Sequence, residues 1–374
     1  MLYFQFLLID TGKDLSVSVS EVEKNRLLKY TIIGLSILAA VAVLSWGITP
    51  ILLVLISVAV AVSLDILFSL GMKNRGARST LSAVVYGQIV ALSYTLANTS
   101  SFAFGYYLSG YYEPELLPQV PPMAYVYVAI VSAVGMILFR RLQGLLPRKY
   151  VNAAAAAKLV VFLPFLPRVL LAEGHLNSLL LAGPVGYEIT TGSGGSLASA
   201  FGSLVASCLG IYEIRPSMMI TDPINVFEPL TLLKYHGWVG GASSVAVIAV
   251  GLTLFFLARK TMRWRITLSY FIGVVAMSAL MFGIYGGDFL LRLGFEVFIG
   301  SSIFMAFFMA TDPATTPSGY AGQAVFGVGL ALLTVLIQTY MGFLGGSILA
   351  LIIMNLTVPL LDRVKTGKPK PATT

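Results

Sequence analysis

The residues of this chain best suited to do chemistry lie in Phe307–Pro317, FFMATDPATTP, where an apolar run passes straight into Asp312-Pro313 and the hydroxyls of Thr311, Thr315 and Thr316. Proline cannot continue a helical hydrogen-bond ladder. Carbonyls freed around it, with the Asp312, Thr315 and Thr316 oxygens, could line a polar pocket inside a helix bundle. A helix cap or loop at the membrane surface is the competing reading of the same residues. Charges within apolar runs come next, because an ionisable group in hydrocarbon is costly and marks a path or a pair. Asp65 and Lys158 fall at similar depths and could pair; alternatively Lys158 snorkels to the surface and Asp65 bonds a nearby serine. Glu296 follows Arg292 by one turn, which suits a structural ion pair.

Other chemistries find little support. TTGSGGS at 190–196 offers flexible backbone amides, but no lysine and no nucleotide-loop spacing accompany it, so it reads as a loop. Cys208 is the only cysteine, which leaves no internal disulfide and no multi-cysteine cluster. Two histidines, His175 and His236, both lie in one long polar segment and make no set with serine and aspartate at telling spacing.

The elements that must position these groups are membrane helices. Of the 374 residues, 57% are hydrophobic and only 11% charged, far below the roughly one quarter charged in soluble domains. Apolar stretches long enough for about 30 Å of hydrocarbon fall near 27–46, 48–71, 79–97, 121–139, 151–171, 238–258, 265–283, 293–310, 321–338 and 343–361. Basic residues outnumber acids 24 to 16, yet they come in short clusters between these stretches, a topology signal rather than a nucleic-acid groove. If all ten stretches cross, Lys24, Arg26 and Lys29; Lys73, Arg75 and Arg78; Arg140, Arg141, Arg148 and Lys149; Arg259, Lys260, Arg263 and Arg265; and Arg363 through Lys370 share one side. The positive-inside rule makes that side, with both termini, cytoplasmic.

The expected architecture is an all-α polytopic membrane protein of about ten helices. It divides into a cytoplasmic segment 1–26, a five-helix half 27–171, an extracytoplasmic segment 172–237, a second five-helix half 238–361 and a cytoplasmic tail 362–374. Five helices per half is an odd number, so the halves would be inverted repeats, an arrangement whose broken helices build sites near the midplane. The apolar start MLYFQFLLI lacks a preceding basic region and does not read as a cleavable signal.

Several stretches together resemble the family that unites RnfD, a membrane component of the Rnf electron-transport complex, with NqrB, its counterpart in the sodium-pumping NADH:quinone reductase. FFMATDPATTP is similar to that family's FFMATDPVTSP, GQAVFGVGLALLTVLIQ to GxxIFGxxxGxLTxxIR, and MNLTVPLLD to MNxxxPLID. FRRLQGLLPRKYVNAAAAAKLVVFLPF and WVGGASSVAVIAVGLTLFFLARKTMRWRI are looser matches in the right order, and the likeness runs from about residue 120 to 365. The resemblance implies a multi-pass subunit in the cell inner membrane that passes electrons by flavin beside other Rnf- or Nqr-like membrane subunits.

Members of that family commonly carry FMN esterified to the threonine of DxxSGATPL. The corresponding run here is Asp222 to Leu230, DPINVFEPL, with Glu228 at the acceptor position. Glutamate has no hydroxyl to esterify, so covalent FMN is expected to be absent there. Gly241 and Gly345 stand where the family has glutamate, and Gln338 where it has arginine. The expectation is therefore a noncovalent flavin, riboflavin or FMN, near Asn152, Thr311, Asp312, Thr315 and Thr316. The alternatives are an ion or small-solute transporter using Asp65 and Lys158, or a structural subunit, on the same scaffold. No metal ligand set and no nucleic-acid surface are expected.

Overall fold

In a computed structural model, the backbone is described over residues 3–70, 80–94, 123–143, 149–162, 238–258, 261–285, 289–298, 302–341 and 346–363. The described residues are helical apart from short turns. In chain order the helices are α1 (Tyr3–Trp46), α2 (Thr49–Leu70), α3 (Thr80–Leu92), α4 (Met123–Val134) and α5 (Ala153–Phe162), then α6 (Ser244–Leu257), α7 (Trp264–Tyr285), α8 (Phe289–Phe298), α9 (Ser302–Phe304), α10 (Tyr320–Met341) and α11 (Gly346–Leu361). Each of the ten apolar stretches read from the sequence contains a described helix, the stretch 293–310 holding part of α8 and all of α9.

Five portions are long and apolar enough to cross a bilayer: Val22–Val43, Thr49–Ser69, Ala124–Leu142, Trp264–Ile284 and Tyr320–Ile337. α3, α6 and α11 are shorter apolar helices. Large apolar side chains such as Leu55, Leu67, Phe256, Ile272, Ile284 and Leu360 remain outward, which in a membrane places them against lipid rather than water. The chain is thus a polytopic all-α membrane protein. Residues 3–26, expected as a separate segment before the first span, are continuous with it in α1. At 1.5 Å per residue that helix is about 66 Å long, roughly twice the hydrocarbon thickness.

Helices that are neighbours in the chain are mostly neighbours in space. α1 packs on α2 and α3, α2 on α3 and α4, and α4 on α5; in the second half α7 packs on α8 and α10, and α10 on α11. Between the halves α1 meets α6 and α5 meets α11. Small residues allow the closest approaches. A Cβ on Gly327 of α10 would lie 2.5 Å from the Ile266 carbonyl and 2.0 Å from Ser269 Oγ on α7.

Two helices depart from α geometry in the same way. α4 continues as a π-helix over Gly135–Leu142, and α9 continues as a π-helix over Met305–Met309. Each π segment runs into one of the polar stretches singled out in the sequence. Such insertions are frequent at functional sites.

Candidate functional site

The second π segment ends where Ala310 N donates to the Met305 carbonyl at 2.8 Å, after which the chain leaves the helix through Thr311–Pro317. A broken helix frees carbonyls, and a buried carbonyl without a donor costs about 1–3 kcal/mol. Here several of the freed carbonyls are met by side chains. Thr267 of α7 donates to the Ala306 carbonyl at 2.7 Å and Thr311 to Phe307 at 2.7 Å. Asn152 Nδ2 donates to Met309 at 3.4 Å, and Thr316 Oγ1 to Asp312 at 2.6 Å. Arg263 Nη1 donates to Thr316 Oγ1 at 2.9 Å and to the Pro317 carbonyl at 2.6 Å, and it also meets the Thr316 carbonyl. Gln323 Nε2 spans the Pro317 and Ser318 carbonyls, each at 3.3 Å.

Asn152 does two jobs at once. Its Oδ1 accepts from the backbone amides of Ala154 and Ala155 at 3.1 and 3.2 Å, capping α5, while its Nδ2 reaches the broken helix 157 residues away. The two stretches placed on one membrane face by sequence therefore touch. Replacing Asn152 with alanine removes the cap, worth about 1 kcal/mol, and leaves the Met309 carbonyl with only the long 3.5 Å contact from the Asp312 amide. We expect a loss of about 2 kcal/mol in thermal unfolding of the detergent-solubilised protein. Asn152→Ser should recover only the capping part, because serine caps as well as asparagine but is too short to reach Met309.

Of the five residues expected to bind a cofactor, three are thus committed to the main chain: Asn152, Thr311 and Thr316. Asp312 is half-buried, and its Oδ1 accepts from Ala314 N at 3.0 Å in a local turn. Thr315 is 2% exposed, and its hydroxyl has no hydrogen-bond partner. Arg140 and Lys149 lie within electrostatic reach of Asp312. Ser318, just past the turn, is tied to Asp362 at the end of α11, its amide donating to Oδ1 at 2.8 Å. Asn152, Arg263, Asp312 and Asp362 therefore gather at one end of the bundle.

Asp65 and Lys158 are not brought together. Lys158 is buried at 8% exposure; its ammonium donates to the Ser93 carbonyl and stands 4.7 Å from the Trp238 ring centroid. It neither snorkels to the surface nor forms an ion pair with Asp65 among the described contacts. Its helix, α5, packs chiefly on α3, α4 and α11, with α2 absent from that set. Asp65 instead acts electrostatically on Arg140. That arginine donates to the Ser82 carbonyl and hydroxyl, both at 2.6 Å, in the first turn of α3. Arg141 lies 5.4 Å from the Phe68 ring and donates to the Phe68 carbonyl at 3.4 Å, near the negative end of α2. Glu296 is buried, while the side chain of Arg292 lies outside the described residues. Glu228, both histidines, Cys208 and TTGSGGS also lie outside them.

Sequence reading missed Arg263, Thr267 and Gln323 as supports of the turn. Arg263 had counted only as one of a topology-setting cluster, and nothing local distinguishes it from Arg259 or Lys260.

A helical bundle with a π-terminated, cross-braced broken helix defines this chain as a polytopic membrane protein built around a discontinuous span. It belongs to the NQR2, RnfD, RnfE family, whose model matches residues 104–370. The chain is 28% identical over 263 residues to the D component of an ion-translocating oxidoreductase complex from Cronobacter sakazakii, covering 65% of this chain and 72% of that protein. It is 26% identical over 273 residues to the D component of a proton-translocating ferredoxin:NAD(+) oxidoreductase complex from Clostridium ljungdahlii, covering 72% and 73%. The D component of an ion-translocating oxidoreductase complex from Pseudomonas paraeruginosa is 34% identical over 161 residues, 42% of this chain and 44% of that protein. The resemblance carried by FFMATDPATTP and its companions is thereby borne out at the level of the family.

Proposed function

We propose that this chain is a membrane subunit of an ion-translocating oxidoreductase complex, seated in the inner membrane beside other Rnf- or Nqr-like subunits with both termini cytoplasmic. We further propose that it meets a noncovalently held flavin at the turn Asp312–Pro317. The observation that carries the second part is the Thr315 hydroxyl, buried and without a hydrogen-bond partner three residues after Asp312 in the same turn. The edge of a flavin ring presents carbonyl acceptors next to an N–H donor. A threonine hydroxyl and a carboxylate are the complementary donor and acceptor, so these two residues fit the group. When bound, a flavin supplies one- and two-electron transfer. Asn152, Thr311, Thr316 and Arg263 serve by fixing the turn, and the buried wall of Phe304, Phe307 and Phe308 excludes water from its inner side. At position 228 a carboxylate replaces the esterifiable hydroxyl, so no covalent FMN is expected there.

The test is purification of the tagged full-length chain from native membranes in mild detergent. Expected are co-purifying membrane subunits, an intact mass equal to that of the 40.1 kDa chain, and flavin released by acid. Asp312→Ala and Thr315→Val should each lower the flavin content by about one equivalent per chain without loss of the partners. Unchanged flavin in both variants defeats the cofactor assignment and favours a purely structural role. A chain that purifies alone and supports solute uptake abolished by Asp65→Asn defeats the complex and points to a transporter.

A further inference from the structure

Where the two halves meet, α1 and α6 approach most closely at Gly34, whose Cβ would lie 2.7 Å from Val250 Cγ1 and 3.5 Å from Leu254 Cδ1. Toward the basic end of α1 the pair opens into a cleft of about 310 Å³. Glu23, Arg26 and Tyr30 of α1 line one wall, and Phe256, Leu257 and Thr261 at the end of α6 line the other. Phe256 is 82% exposed and Leu257 about half exposed, so this wall opens onto lipid. Ile33 and Ile37 are also outward; they continue the Arg26 and Tyr30 stripe at helical spacing, about 10 to 16 Å deeper along α1.

The polar rim is charged and only partly used. Arg26 Nε donates to the Tyr30 hydroxyl at 2.9 Å, and the guanidinium stands 5.4 Å from the Tyr30 ring centroid. Those are its described contacts, which leave both Nη groups uncommitted. Glu23 sits three residues earlier, a spacing that favours pairing on a helix, yet it is not among them. A cation and a carboxylate, side by side but not joined, match a ligand that carries both charges. The apolar wall beside them matches a ligand with a hydrocarbon tail.

We propose that this cleft holds a phospholipid whose headgroup combines a phosphate with a primary ammonium, a phosphatidylethanolamine, in the leaflet at the basic end of the spans. The guanidinium takes the phosphate through its Nη groups, with the Tyr30 and Thr261 hydroxyls beside it. The Glu23 carboxylate accepts from the ammonium, and an acyl chain lies along Phe256 and Ile33. Basic pockets between membrane helices are ordinary headgroup sites; the carboxylate makes this one selective. A choline headgroup has no N–H to donate, and a glycerol headgroup brings no cation to offset Glu23. Lys24 and Lys29, exposed on the same stretch, attract acidic lipids in general, which makes phosphatidylglycerol the decisive comparison. The site stands whichever side of the membrane this end faces, with or without a flavin at the Asp312 turn.

The purified full-length chain, stripped of lipid in detergent, is titrated in parallel with dioleoylphosphatidylethanolamine, dioleoylphosphatidylcholine and dioleoylphosphatidylglycerol while its melting temperature is followed. In the wild type the ethanolamine lipid should reach its half-maximal rise at about tenfold lower mole fraction than the other two. Arg26→Gln should raise that midpoint by about tenfold, and Glu23→Gln should erase the preference over the glycerol lipid. Both side chains are exposed, so both variants should fold. Glycerophosphoethanolamine, the same headgroup without chains, should give no shift over the same range. Equal midpoints for the three lipids, or a preference for the glycerol lipid, in the wild type overturn the site. So does an ethanolamine preference unchanged in both variants, or a chain-free headgroup as effective as the lipid.

Discussion

Replacing Arg263 with alanine is expected to destabilise the protein by about 3–5 kcal/mol, seen as a lowered melting temperature in detergent and reduced accumulation in the membrane. The side chain is half-buried, and its Nη1 supports Thr316 Oγ1, the Thr316 carbonyl and the Pro317 carbonyl together. Hydrogen bonds from a charged donor contribute about 1.5–3 kcal/mol each. Bonds that share one nitrogen are not additive, which keeps the expected total below their sum. Gln323 still reaches the Pro317 carbonyl at 3.3 Å, but no other described donor meets Thr316. Arg263→Lys should recover only part of the loss, because the lysine ammonium ends one bond short of the guanidinium nitrogens. Equal stability of Arg263→Ala and the wild type would show that the turn holds its shape without this brace.

How much of this was legible in sequence depends on the range of the interaction. Spans were readable because bilayer thickness forces a run of about twenty apolar residues wherever a helix crosses. The broken helix was readable because Asp312-Pro313 interrupts such a run. The agents that hold the break were not: Asn152 bonds Met309 across 157 residues and Arg263 bonds Thr316 across 53, and contacts of that span leave no periodic trace. Lys158 shows the complementary failure. Depth along the chain suggested Asp65 as its partner, but depth does not say which helices are neighbours, and α5 settles on α3 and α4. The π segments also escaped, since a single extra residue in a helical turn changes neither composition nor hydropathy.

The π-helix that begins at Gly135 gives the other large expected effect, and its sign in a second background tests the explanation. Just before this segment the Tyr86 hydroxyl of α3 packs against α4, donating to the Ser132 carbonyl at 3.2 Å and lying 3.4 Å from the Val131 carbonyl. It can do so only because residue 135 has no side chain. A Cβ there would stand 1.7 Å from Tyr86 Oη, 2.8 Å from Tyr86 Cζ and 3.0 Å from Ala157 Cβ. Gly135→Ala should therefore cost about 3 kcal/mol or more, at the upper end for overpacking, because Tyr86 is buried between helices and has little room to retreat. Tyr86→Phe alone should cost about 1 kcal/mol, the net worth of its hydrogen bond. The double variant should be more stable than Gly135→Ala alone, because removing the hydroxyl removes the worst contact and leaves only the ring carbon and Ala157. A coupling of about 2 kcal/mol is expected. Simple additivity would mean that the glycine is required by backbone conformation, and that Tyr86 does not shape the π segment that carries Arg140 and Arg141 to α2 and α3.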